Sequence, residues 1–314
     1  MNPVLSRRAA LVLCLLGLAP MLSAAPKVGV LLKGRISFWT AVEKGSERAG
    51  QEFGAEIIVK APLSEIDVAV QIRLLQALAA QGIDALVIAP CNEDTLAGPV
   101  AALAAKGVKV VVIDSPLAGK PIGPFVGTDQ NAAGEAAGRL LANLIGDRDE
   151  VSLLRHTQTS VAAIQRETGA MAALRAVHPQ LAIHNDVFAS SEYGAEAAQA
   201  AFLLSKYPAT KAIFASGSTG SMAMLNLLEK RKPAGSIKFV GGGANLNPEV
   251  AAALADGTMQ GWLAQLPEDV GYKGVAAALA LIAGRKVEPV IRTDFILVTR
   301  ENLHDPRVQA LLSN

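Results

Sequence analysis

Short apolar runs alternate along the chain with longer stretches in which apolar residues recur every three or four positions. The runs Lys27–Leu32, Ile57–Val59, Ala85–Ala89 and Val108–Ile113 are rich in β-branched residues and bounded by turn formers. That is the pattern of strands buried on both faces. Between them, Val42, Gly45, Ala49 and Phe53 share one helical face, and Val68, Ile72, Leu75 and Ala79 share the next. Ser64 followed by Asp67 resembles a capping box for the second helix, and Gly82 stands where a helix C-terminal glycine belongs. Thr95–Lys106 predicts a third helix, stopped by Gly107. This βαβαβα order demands right-handed crossovers and a parallel sheet.

A second series repeats the plan. It predicts a helix from Asn131 to Leu144, a strand at Val151–Leu154, a helix at Gln165–Val177 and a strand at Ala182–Phe188. Helix Ala195–Lys206, strand Lys211–Ala215, helix Ser221–Lys230 and strand Ile237–Val240 continue it. Helices Glu249–Ala255 and Asp269–Ala283 and a last strand at Phe295–Val298 complete the series. The reading is α/β: two Rossmann-like, doubly wound parallel-sheet domains. No Ser/Gly-rich tether separates the halves, so a hinge is expected, with ligand bound at strand carboxyl ends.

Composition narrows the function. Of 314 residues 51% are hydrophobic but only 4% aromatic, so Ala, Val, Leu and Ile carry the core. A formal charge of +1, well interspersed, argues against nucleic acid as a partner. Residues 1–25 read as a signal peptide: Arg7 and Arg8 supply the positive region, Ala9–Leu22 the apolar stretch, and Ser23-Ala24-Ala25 the small-residue exit. Its removal leaves Cys91 as the single cysteine, either a small buried residue at a strand end or a reactive thiol.

Candidate chemistry clusters after predicted strands. Lys33, Arg35, Phe38 and Trp39 follow the first. The two aromatics can stack on the C–H faces of a sugar or pack in the core. Asp114 ends the fourth strand and can accept two hydroxyl hydrogen bonds or cap its own turn. Asp129 faces the same choice, with capping of the Asn131 helix as its alternative. Arg166 is a planar fork for vicinal hydroxyls or a carboxylate, or a solvated surface arginine. Gln265 is a polar residue within the apolar run Trp262–Leu266, where such groups need a specific partner. Catalytic patterns are missing. His156, His178, His184 and His304 lack metal-ligand spacing, and neither Gly217-Ser218-Thr219-Gly220-Ser221 nor Gly241-Gly242-Gly243 fits a nucleophile elbow or a phosphate loop. Asp94 reads as a helix cap within Asn92-Glu93-Asp94. Neither an enzyme, nor a metal site, nor a cofactor is expected.

These residues resemble a known family. Phe38-Trp39-x2-Val42-x2-Gly45, Gln81–Pro90, Gly107–Asp114, Val126-Gly127-Thr128-Asp129-x4-Gly134, Arg166-x2-Gly169 and Ala264–Pro267 occur in the order and spacing of ribose/galactose-type periplasmic sugar-binding proteins. The resemblance implies the type I periplasmic binding protein fold, with three hinge segments near Thr128, Gln265 and Thr293. It assigns 26–128 plus 266–292 to an N-terminal lobe and 129–265 plus 293–314 to a C-terminal lobe. It also implies a ligand (sugar, cyclitol or sugar acid) held between the lobes by Phe38, Trp39, Arg35, Asp114, Arg166, Asn245 and Gln265. The partner would be an ABC permease or, alternatively, a membrane sensor kinase or chemoreceptor. Departures are plain: Ile36-Ser37 replaces Asn-Pro, Ser115 replaces an Arg, Gly217-Ser218 replaces Asn-Asp, and Gly241–Asn245 replaces a Gly-Phe-Asp-Gly loop, with Asn245 standing in for its Asp. With Arg35, Arg155, His156 and Arg166 nearby, an acidic or substituted ligand is a further expectation.

Overall fold

The structure, a computed structural model, describes residues 24–190, 192, 194–230, 235–244 and 246–312. The leader lies almost wholly outside the described residues, and so does Asn245. The chain first builds β1 (Lys27–Leu31), α1 (Ser37–Phe53), β2 (Glu56–Lys60), α2 (Val68–Ala80), β3 (Ala85–Ile88), α3 (Glu93–Ala104), β4 (Lys109–Ile113) and β5 (Phe125–Thr128). It then crosses to α4 (Gln130–Ala142), β6 (Glu150–Arg155), α5 (Val161–Val177), β7 (Ala182–Phe188) and α6 (Glu196–Lys206). Next come β8 (Thr210–Ala215), α7 (Ser218–Glu229), β9 (Lys238–Gly243), α8 (Pro248–Asp256) and β10 (Gly261–Gln265). α9 (Pro267–Ile282) and β11 (Val290–Thr293) return to the first body, and β12 (Phe295–Val298) and α10 (Pro306–Leu312) finish in the second.

Two six-stranded sheets result, ordered β11-β5-β4-β3-β1-β2 and β12-β10-β9-β8-β6-β7. The first is parallel throughout, and the second is parallel except where β12 runs against β10. In each, the first strand in the chain (β1 or β6) lies between the next two, so the winding direction reverses there. Crevices for ligands open at the carboxyl ends of such strands. Each sheet with its helices is here a lobe.

Three strands, β5, β10 and β11, have no counterpart in the periodicity. β5 is four residues long with a glycine inside, and β11 is a largely exposed edge, so neither makes an apolar run. β10 is buried along its whole length but ends on Gln265 and a proline. Two caps also differ from expectation. Asn92, not Asp94, caps α3 by accepting from the Thr95 N–H at 2.8 Å. Ser64 and Asp67 form no capping box: Asp67 precedes α2 without a side-chain cap, and the intervening loop presents Glu65 to the cleft instead. Gly82 and Gly107 do take left-handed φ values of 70° and 96°. Asp129 caps α4, accepting from the Ala132 N–H at 3.1 Å.

One helix contact sets the cleft. A Cβ on Gly134 of α4 would overlap the Arg166 carbonyl oxygen, and one on Gly169 of α5 would overlap that of Asn131. These glycines let α4 and α5 touch backbone to backbone, which brings Gln130 beside Arg166.

Candidate functional site

At the carboxyl end of β1 stands Lys33, 1% exposed. Its Nζ donates to Asp114 Oδ2 at 2.5 Å, to Ser115 Oγ at 2.6 Å and, across the cleft, to Ser160 Oγ at 3.4 Å. Asp114 follows β4 with φ of 63°, the one positive φ outside glycine among the described residues. A left-handed conformation is uncommon outside glycine, though Asp tolerates it better than most, and it costs on the order of 1–3 kcal/mol. It turns the carboxylate to Lys33. Its hydrogen bonds fall on Oδ2, and Oδ1 has none among the described residues.

The aromatic pair sits on the first turn of α1. Phe38 and Trp39 are buried and meet edge to face, with ring centroids 4.9 Å apart. Both line the cleft, and both belong to the core of the first lobe. Trp39 Nε1 donates to Glu65 Oε1 at 2.8 Å, and the other oxygen of Glu65 pairs with His156 Nε2 of the second lobe at 2.9 Å. Burial alone would raise the Glu65 carboxyl. His156, with smaller help from Lys33 and Trp39, overcomes it and holds the group at about 2.

The opposing wall is organised from below by Glu167, which is wholly buried. It accepts from Arg155 Nε at 2.6 Å, from the His156 N–H at 3.0 Å and from Ser216 Oγ at 2.6 Å. Arg166 donates Nε and Nη2 to the Ser216 carbonyl and Nη1 to Gln130 Oε1. Burial pushes its guanidinium pKa down, against the pull of Asp114, Glu167 and Glu65. Gln130 Nε2 in turn donates to Gln265 Oε1 at 2.9 Å. Among the described residues no partner takes the Gln265 amide hydrogens.

Phe38, Trp39, Asp114, Arg166 and Gln265 thus line one cavity of about 30 Å³, together with Lys33, Glu65, His156, Ser160 and Ser218. An adjoining recess of about 270 Å³ shares Ile36, Glu65 and His156 with it. Arg35 does not join them. It is exposed and reaches Glu43 of the following helix α1 at 3.3 Å. Arg155 is likewise turned away, paired with Glu167 and lying over the Phe188 ring. Cys91 is buried with its thiol pushed up to about 12 by desolvation, an environment that suits packing.

This two-lobed cleft matches known proteins along nearly its whole length. The model of the periplasmic binding protein domain matches residues 28–286. The chain belongs to this family. A D-ribose/D-allose-binding protein of Pseudomonas aeruginosa is 29% identical over 87% of this chain and 89% of that protein. Among solved structures, a carbohydrate transporter solute-binding protein from Agrobacterium radiobacter in complex with D-arabinose is 27% identical, with a TM-score of 0.85 over 92% of this chain and 99% of that one. An ABC transporter solute-binding protein from Agrobacterium vitis with bound D-fucose is 26% identical, with a TM-score of 0.83 over 91% and 99%. In this periplasmic binding protein domain the walls come from both lobes, so any molecule filling the cavity touches both.

Proposed function

We propose that the chain is an exported receptor that captures a neutral monosaccharide between its lobes and hands it to an ABC importer. The observation that carries this is the set of polar groups left open around Phe38 and Trp39. Asp114 Oδ1 can accept, while remaining hydrogens on Arg166 and the Gln265 amide can donate, and the Ser218 hydroxyl can do either. Hydroxyls, which both donate and accept, complement such a ring. Charge favours a neutral ligand over an acid: Lys33 and Arg166 are matched in number by Asp114 and Glu65, while Arg35 and Arg155 already have carboxylate partners. The sugars bound by the relatives support the class, and the transporters they serve support the importer.

Closure follows from ligand touching both walls, since a ligand shifts the equilibrium toward whichever form it binds better. The three crossings of the chain, after Thr128, after Gln265 and between Thr293 and Phe295, would serve as the hinge between lobes 26–128 plus 266–292 and 129–265 plus 293–314. Arg7, Arg8 and the apolar stretch behind them support export.

Calorimetric titration of the mature protein with D-ribose, D-allose, D-arabinose, D-fucose and D-glucuronate tests the reading. A neutral sugar should bind far more tightly than glucuronate. Preference for the anion would overturn the neutral class, and binding of none would overturn the sugar reading.

A further inference from the structure

Side chains of the two walls also bond to each other, and these bonds gather in two places. In one, Lys33 and Ser115 of the first lobe meet the start of α5 in the second. The first N–H groups of a helix have no partner within it, and Ser160, which precedes α5, gives them no side-chain cap. The Ala162 N–H donates instead across the cleft to Ser115 Oγ at 3.3 Å, while Lys33 Nζ reaches Ser160 Oγ at 3.4 Å. In the other place Glu65 Oε2 pairs with His156 Nε2 at 2.9 Å, on the wall that the cavity shares with the adjoining recess.

These groups are committed to the protein. The three hydrogens on Lys33 Nζ go to Asp114, Ser115 and Ser160. Ser115 Oγ takes hydrogens from Lys33 and Ala162 and gives its own to Asp114 Oδ2 at 3.0 Å. Glu65 has one oxygen on Trp39 and the other on His156. The second ring nitrogen of His156 is closed against Gly217, where a Cβ would lie 2.6 Å from it.

We propose that Lys33 and Ser115 on α5, together with Glu65 on His156, form a latch. They are positioning residues: they hold the lobes together without bonding the sugar, and so set how long it stays bound. This rests on the sugar reading of the cavity. It divides the affinity into two parts. Bonds to the sugar differ from ligand to ligand, whereas the latch multiplies the affinity of every sugar by the same factor, because it favours the closed form whatever that form encloses.

The experiment takes whichever of D-ribose, D-allose, D-arabinose or D-fucose binds most tightly, and its singly deoxygenated derivatives. Binding and dissociation are followed by stopped-flow tryptophan fluorescence in wild type, His156→Phe and Ser115→Ala. Each variant should release the parent sugar about tenfold faster, the scale of one hydrogen bond, with association within about threefold of wild type. The affinity lost on removing any one sugar hydroxyl should be the same in the variants as in wild type. A folded variant that releases sugar at the wild-type rate would overturn the latch and leave the sugar reading standing. A hydroxyl whose removal costs nothing in one variant alone would make that side chain a sugar contact, which also overturns it. The two variants lie in separate clusters, so one that fails to fold leaves the other to decide. Failure of every sugar to bind the wild-type protein would overturn both readings.

Discussion

The two walls of the cleft handle charge in opposite ways. On the first lobe Lys33 and Asp114 neutralise each other at 2.5 Å, and the turn after β4 adopts an uncommon conformation to make the pair. On the second lobe Arg166 is held by a backbone carbonyl and an amide oxygen, and carboxylates stay one layer away. The first wall therefore offers apolar rings and a single open acceptor, and the second offers the unused hydrogens of Arg166 and Gln265. A rigid, internally satisfied wall suits stacking. A wall with donors in reserve suits hydroxyl oxygens that complete its hydrogen bonds on binding.

Breaking the satisfied wall should have the largest effect. Lys33→Met leaves Asp114 buried without its counter-charge and should destabilise the protein by about 3–5 kcal/mol, read as a lowered urea midpoint. Adding Asp114→Asn, which keeps a side chain tolerant of the left-handed turn, should restore part of the loss. A single variant as stable as wild type would mean the pair is not a unit. Acid attacks the same wall through Glu65. Its folded pKa is depressed to about 2, so its stabilisation is present above about pH 4.5 and disappears as pH falls toward 2. With side-chain exposure of only 12%, the loss is on the order of 3 kcal/mol. Glu65→Gln should flatten stability over that window; an unchanged acid limb would place the transition elsewhere. The second wall should respond in binding. Arg166→Lys keeps the charge but not the fork that spans Ser216 and Gln130, and should weaken sugar binding by about 1.5–3 kcal/mol.

The sequence carried the fold well, because strands buried on both faces must be apolar runs and the helices between them must be amphipathic. It carried the site unevenly. Asp114, Arg166 and Gln265 were readable from polar residues at strand and helix ends, where an apolar pattern breaks. Arg35 shared that position yet turns outward to Glu43, since its loop leads directly onto the exposed side of α1. Glu65 was hidden between Ser64 and Asp67, whose spacing mimics a cap. Its partner His156 lies 91 residues away on the other lobe, a separation that no local period can report. The same limit applies to Lys33: its place directly after β1 was visible, but nothing local says that a lysine there is buried.

The smallest effect tests whether the second wall depends on its supporting helix or only on its own network. Asp129 caps α4, and the next residue, Gln130, links Arg166 to Gln265. Losing the cap in Asp129→Ala should cost about 1 kcal/mol of stability. Gln130 is nonetheless tied to two partners, and the backbone contact at Gly134 and Gly169 holds α4 on α5 within the next turn. Sugar affinity should therefore stay within about twofold of wild type while the melting temperature falls. Affinity falling with stability would show instead that the end of α4, and not the amide network, sets the position of Arg166.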